Sequence, residues 1–145
     1  MLTLLALDPG KTTGWSIWKY DHETPATCTM YGQVEGGVEG YYEMFYKFAA
    51  DIIVAESFVL DGRTPNPDIT PLRIEGVLYA QSRQFGIPVE MQRNNFKKHV
   101  SDELLKKHAL WWKGKPHASD SARHALAWFK THKHTPTLKE YFMLD

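Results

Sequence analysis

Two acidic residues each close an unbroken apolar run. Asp8 follows Leu2-Thr3-Leu4-Leu5-Ala6-Leu7, and Glu56 follows Ile52-Ile53-Val54-Ala55. Ligand sites in α/β sheets gather at the carboxyl ends of strands. If these runs are neighbouring strands, their axes lie about 4.8 Å apart and the two carboxylates can share one cation. An unpaired acid at the end of a buried strand is costly, although either acid alone could be a turn or cap carboxylate. A third acid comes from His117-Ala118-Ser119-Asp120-Ser121-Ala122-Arg123-His124. On a helix, His117, Asp120 and His124 fall at i, i+3 and i+7, a single stripe. If Ser119 caps that helix, His117 belongs to the preceding loop, and His117 and His124 could also be ordinary surface histidines. Taken together, Asp8, Glu56 and Asp120 repel one another unless cations lie between them. Three oxygen ligands with one imidazole and no thiolate suit Mg²⁺ or Mn²⁺ better than zinc. Two ions about 3.5 to 4 Å apart would set up in-line attack on a phosphodiester, one activating water and the other stabilising the leaving oxygen.

The elements that must position these groups follow from pattern and punctuation. Residues 2–7 read as a buried strand, with 14–20 and 27–34 as two more. Their connections are too short for parallel crossovers, so the three form an antiparallel meander. Residues 41–50 carry Tyr41, Phe45 and Phe48 on one helical face. The uniformly apolar 52–55 suits a central strand covered on both sides. Residues 61–71 form a loop. Residues 72–85 are helical, with Ile74, Val77, Leu78 and Gln81 inward and Gly86 as the stop, and 87–91 is a short strand. Asn95 or Ser101 caps a helical stretch reaching about Trp112. The last helix covers about 117–131 and lays Ala118, Ala122, Ala125, Leu126 and Phe129 on the sheet, its alanines permitting close approach. The predicted class is α/β, a mixed sheet of three antiparallel strands plus parallel strands flanked by helices. No repeat or linker divides the chain, so residues 1–145 read as a single domain.

Composition narrows the class further. The 145 residues are 43% hydrophobic and 23% charged, as in a soluble globular protein. No run approaches the roughly 20 apolar residues of a membrane span, and the first residues read as a strand, not a signal peptide. The expectation is a cytoplasmic protein with no membrane partner and no organic cofactor. The lone Cys28 excludes an intramolecular disulfide and a multi-cysteine metal site. Net charge is zero, but its distribution is uneven. Residues 1–91 hold 6 Lys/Arg against 12 Asp/Glu, whereas 92–134 hold 10 against 3 together with 6 of the 7 histidines. Such asymmetry points to a polyanion partner or to two solvated basic helices.

These residues match a known pattern. Leu5-Ala6-Leu7-Asp8-Pro9-Gly10 followed by Gly14-Trp15 resembles the opening strand of RuvC-type Holliday junction resolvases. Ile53-Val54-Ala55-Glu56-Ser57-Phe58 resembles their second acidic motif, and His117-Ala118-Ser119-Asp120 their C-terminal motif. The resemblance covers about residues 2–130 and looks like a short phage-type member of the RNase H-like superfamily. It implies a homodimeric, Mg²⁺-dependent endonuclease that nicks a four-way DNA junction symmetrically. Asp8, Glu56 and Asp120 would ligate metal, with His117 a ligand or a water-orienting group. Relatives place Ala-Leu-Ala directly after the final acid; here it follows His124, which could therefore be the aligned catalytic position. Phe58 falls near an aromatic that stacks on junction bases, although core packing is its first reading. Lys97, Lys98, Lys106 and Lys107 lie where relatives contact the phosphate backbone, and Arg123 joins that DNA-contact set. The helix 72–85 matches the family's dimer helix in position. The spacing from Asp8 to Glu56 is short for the family, which could alter the DNA structures accepted. Rival readings are an RNase H-like nuclease acting on flaps, forks or RNA–DNA hybrids, and a non-catalytic junction binder. An Asp-x-Gly-x-Thr phosphate loop of the actin and sugar-kinase kind would need a second domain that 145 residues do not supply.

Overall fold

The computed structural model describes residues 1–143. Five strands, β1 (Leu2–Asp8), β2 (Thr12–Tyr20), β3 (Thr27–Glu35), β4 (Ile52–Glu56) and β5 (Val89–Gln92), form one sheet in the order β3-β2-β1-β4-β5. The first three make the expected antiparallel meander. Strand β4 lies parallel to β1 on its other side, and β5 lies parallel to β4. The helices are α1 (Gly37–Phe45), α2 (Thr70–Phe85), α3 (Asp102–Lys107), α4 (Pro116–Thr131) and α5 (Thr135–Phe142), with a short 3-10 helix over Asn94–His99. Among the described residues no helix is long and apolar enough to cross a membrane.

The sheet divides the core because side chains alternate along a strand. Leu4, Ala6, Trp18 and Val54 face one side, where Ala122, Ala125, Leu126 and Phe129 of α4 cover them. Leu5, Leu7, Ile17, Ile53 and Ala55 face the other, under Tyr41, Phe45, Ile74 and Leu78 of α1 and α2. Each fully buried Leu or Phe contributes about 1.5–3 kcal/mol, so both central strands are secured from two sides. The same alternation carries Asp8, two residues after Ala6, and Glu56, two after Val54, toward the α4 face.

Several boundaries differ from expectation, each for a local reason. Helix α1 starts at Gly37, not 41, because Gly36 and Gly37 adopt positive φ and turn the chain directly off β3. A Cβ on Gly40 would lie 1.8 Å from the Glu35 carbonyl oxygen, so this close turn requires glycine there. Strand β5 begins at Val89 because the Ile87 N–H is spent on Ser82 O at the end of α2, and Pro88 has no N–H to give. The stretch expected to be one helix up to Trp112 is broken. Val100 is extended and buried in the core, ending the 3-10 helix, and Ser101 then caps α3 by accepting the Leu104 N–H at 3.1 Å. Helix α5 was not anticipated. It docks through Thr137, whose hydroxyl accepts the Ala26 N–H, and through Tyr141, whose hydroxyl donates to Ala26 O.

Helix α4 starts at Pro116, a residue suited to a first turn. His117 is therefore helical. Ser119 is buried, and its hydroxyl accepts the Trp112 N–H at 2.9 Å instead of capping.

Candidate active site

Parallel register between β1 and β4 pairs Leu7 with Ala55, so Asp8 and Glu56 emerge side by side at the strand ends. Helix α4 reaches them because of Gly14. This residue pairs with Asp8 across the β1–β2 ladder, and a Cβ on it would lie 2.0 Å from the His117 carbonyl. With glycine there, the first turn of α4 rests on the sheet, and the His117 and Ala118 N–H groups donate to Gln33 Oε1 of β3 at 2.9 and 3.2 Å. His117 Nδ1 consequently lies 3.0 Å from Asp8 Oδ2. Gly14→Ala must push α4 off the sheet, an overpacking expected to cost about 1–3 kcal/mol, read as a lower urea midpoint. An unchanged midpoint would show that α4 does not depend on this contact.

The remaining groups close around the two acids. Lys97, from the 3-10 helix, places its ammonium 3.4 Å from both Glu56 Oε1 and Asp120 Oδ2. His124, one turn beyond Asp120, is fully buried. Gln92 at the end of β5 donates its amide to both His124 O and His124 Nδ1, at 2.9 and 3.1 Å. That leaves the ring proton on Nε2, which faces Glu56 Oε1 at 3.8 Å and has no hydrogen-bond partner among the described residues. The His117-or-His124 alternative thus resolves into two positions: His117 is half exposed against Asp8, and His124 is buried beneath Glu56.

Electrostatics follow from burial and crowding. Asp8 is only 8% exposed. Burial, then the hydrogen bond and charge of neighbouring Glu56, push its carboxyl up to about 9. Burial alone would raise Glu56 too, but the His124 N–H, Asp8 and the Lys97 charge outweigh it and hold Glu56 at about 2. Burial would lower Lys97, yet Glu56, Asp120 and Asp8 raise it, so its ammonium stays charged. The acids are therefore balanced by a proton on Asp8, by Lys97 between Glu56 and Asp120, and by Arg123 beside Asp120.

The other predicted residues separate. Phe58 joins neither core; it lines a cleft of about 680 Å³ with Glu56, Arg93 and Lys97. Lys98, Lys106 and Lys107 are exposed. Arg123 instead turns inward: it donates to Val100 O and Asp102 Oδ1 at 2.6 Å and to Asp120 Oδ1 at 3.4 Å. Its contacts brace Asp120 and tie α4 to Val100 and the start of α3. Buried Thr13 bonds back to Gly10, its hydroxyl both accepting the Gly10 N–H and donating to Gly10 O, which closes the turn after Asp8. Sequence reading missed Gln92, although a polar residue closing a parallel strand beside Glu56 was the available signal. It also placed Lys97 only on the DNA backbone, because nothing local shows that residue 97 returns to the ends of β1 and β4.

No family model matches the chain, and no curated protein matches it by sequence. Solved structures do match by shape. RuvC of Thermus thermophilus in complex with Holliday junction substrate superposes with a TM-score of 0.67 at 15% identity, over 94% of this chain and 98% of that one. The fowlpox virus resolvase in complex with Holliday junction DNA gives 0.63 at 12% identity, over 88% and 99%. The yeast mitochondrial Holliday junction resolvase gives 0.57 at 12% identity, over 95% and 83%. At such identities the likeness establishes architecture, and the architecture of this chain is the RNase H-like fold of the RuvC-type resolvases.

Proposed function

We propose that this chain is a divalent-metal-dependent endonuclease that resolves four-way DNA junctions by paired nicks. The observation that carries the reading is the convergence of Asp8, Glu56 and Asp120 at the strand ends of a fold whose solved likenesses include two resolvases in complex with junction DNA. Among the described residues no three Asp, Glu, His or Cys groups stand close enough together to hold one ion as they are. The donor chemistry nevertheless fits a hard cation. Burial and neighbouring Glu56 keep a proton on Asp8, and Lys97 ties Asp120 to Glu56. A divalent ion would replace that proton, with Asp8, Glu56 and Asp120 as its ligands. When bound, Mg²⁺ or Mn²⁺ polarises the scissile phosphate and supports water attack and leaving-group departure.

The side chains divide the remaining work. Half-exposed His117 orients water beside Asp8. Buried His124 holds Glu56 in place, itself fixed by Gln92. Lys97 releases the acids as DNA arrives and takes a phosphate. Phe58 lies on the cleft wall where a junction base can be met, and Lys98, Lys106 and Lys107 offer backbone contacts. His117→Ala should slow single-turnover cleavage with little change in the urea midpoint. His124→Ala, which deprives the buried Gln92 amide of its imidazole acceptor, should cost about 1–3 kcal/mol of stability. The reverse pattern would exchange the two roles.

A homodimer would supply two such sites for paired nicks. Leu72 and Tyr79 lie exposed on one side of α2, with Tyr42 exposed on neighbouring α1 and Tyr46 exposed just after it, an apolar face suited to a second copy. Sedimentation at micromolar concentration should show a dimer, and Tyr79→Arg a monomer. A wild-type monomer would remove the symmetric scheme. The function itself is tested by cleavage of end-labelled four-way junctions, three-way branches and duplex in Mg²⁺, Mn²⁺ or EDTA. Paired nicks confined to the four-way junction are expected. Equal cutting of other branches would leave a nuclease of broader specificity, and binding without cutting would leave a junction binder.

A further inference from the structure

Two depressions meet at the acid cluster. The 680 Å³ cleft runs from Glu56 past Phe58 to Lys97. A second, of about 190 Å³, begins at Asp120 and is lined by Trp111, Trp112 and Lys113. Lys97 of the first and Asp120 of the second are 3.4 Å apart, so a strand seated on the acids has a path out through both. The function proposed above gives the second depression no role.

The loop between α3 and α4 builds it, and that loop is held firmly. Trp112 stacks flat on Tyr31 of edge strand β3, with centroids 3.7 Å apart and planes 5° from parallel. The Lys115 ammonium lies 5.5 Å from the Tyr31 ring centroid. The Trp112 N–H bond to Ser119 keys the loop to α4, one residue from Asp120. Trp111 beside it is 44% exposed, the most open of the five tryptophans, and Lys106 lies 5.0 Å from its ring centroid. Lys106 at the end of α3 and Lys113 and Lys115 on the loop are all exposed, and Asp120 is the one acid in the lining. An open aromatic on a braced loop that carries several exposed ammonium groups is complementary to a nucleobase flanked by phosphates. A protein partner would instead call for an apolar surround.

We infer that Trp111 is a nucleobase-stacking subsite for the strand being cut, with Lys106, Lys113 and Lys115 holding the phosphates on either side of that base. The inference rests on the nuclease reading and adds the part of the substrate that lies beyond Asp120. Any base can stack on an indole, so the subsite favours branch points, where bases beside the crossover can unstack.

The test uses the full chain carrying Asp8→Asn, expected to bind without cutting, and junctions bearing 2-aminopurine at successive positions on both sides of the nick. Emission should respond at positions on one side of the nick only. Trp111→Ala should erase that response and weaken junction binding roughly 5- to 150-fold, the span of base–aromatic stacking losses. Trp111→Phe should retain most of both. Lys113→Glu with Lys115→Glu should flatten the salt dependence of log Kd by about 0.7–0.9 per lysine. Should Trp111→Ala melt below the assay temperature, the aminopurine pattern with Trp111 intact and with Trp111→Phe decides. No aminopurine response at any position, or Trp111→Ala binding within twofold of its parent, would overturn the subsite. Cutting by the unmodified protein in either of those cases leaves the nuclease reading standing. Failure of the unmodified protein to bind or cut any branched DNA overturns both.

Discussion

Asp8→Asn or Glu56→Gln should lower junction cleavage by at least about 10³-fold, matching the several kcal/mol that a divalent ion contributes to a phosphoryl transition state. Both substitutions preserve side-chain shape and remove one negative charge from the ends of β1 and β4. Binding should be retained or tightened, because a less negative cluster repels phosphate less. Lys97 sharpens the expectation. It is held 3.4 Å from Glu56 and from Asp120, so Glu56→Gln loosens one of its two restraints and frees its ammonium for DNA. Gel shifts in EDTA beside cleavage in Mg²⁺ measure the two effects separately. If cleavage and binding fall together, with a lower melting temperature, these acids support the fold instead of the chemistry.

The metal-free protein should become less stable as pH rises from 5 to 8, and Asp8→Asn should remove much of that slope. Burial first, then the hydrogen bond and charge of Glu56, lift Asp8 from 3.8 to about 9. Between those values the folded state holds a proton that the unfolded state has released, so each step up in pH favours unfolding, by at most about 1.4 kcal/mol per pH unit. Glu56 acts in the opposite sense and elsewhere. Held near 2 against an ordinary 4.5, it contributes stability present above pH 4.5 and lost as pH falls through about 2. In EDTA near pH 8, Asp8→Asn should therefore melt several degrees higher than wild type, since about 1 kcal/mol moves the midpoint of a domain this size by a few degrees. Mg²⁺ or Mn²⁺ must displace the Asp8 proton, so the stabilisation each cation gives to wild type should grow from pH 6 to pH 8. Thermal melts of both proteins across that range, with and without cation, make the comparison. Equal melting temperatures and parallel pH slopes would show that Asp8 carries no excess proton.

Much of the architecture was legible because its signals are local. The apolar runs before Asp8 and Glu56 admit little but buried strands, and the short links between the first three strands allow only an antiparallel meander. The spacing of Ala118, Ala122, Ala125, Leu126 and Phe129 marks the buried face of α4, and all five are fully buried. The mistaken boundaries fall where long-range contacts override local pattern. Val100 breaks a helix because the core takes its side chain. Gly36 and Gly37 start α1 early because β3 ends directly beside it. Helix α5 forms because Ala26, over a hundred residues away, supplies the partners for Thr137 and Tyr141.

The same division runs through the site. Residue type and spacing were enough to nominate Asp8, Glu56, Asp120 and the two histidines, since acids closing buried strands and an i, i+3, i+7 stripe can be read along one chain. Which histidine meets which acid was not decided there. It depends on how closely α4 approaches β2, and Gly14 sets that distance by offering no side chain to the His117 carbonyl. Only the tertiary structure brings Lys97 between Glu56 and Asp120, turns Arg123 inward, and opens Trp111 beside them. Those outcomes are settled by through-space charge and packing between segments distant in sequence, and periodicity within any one segment carries no trace of them.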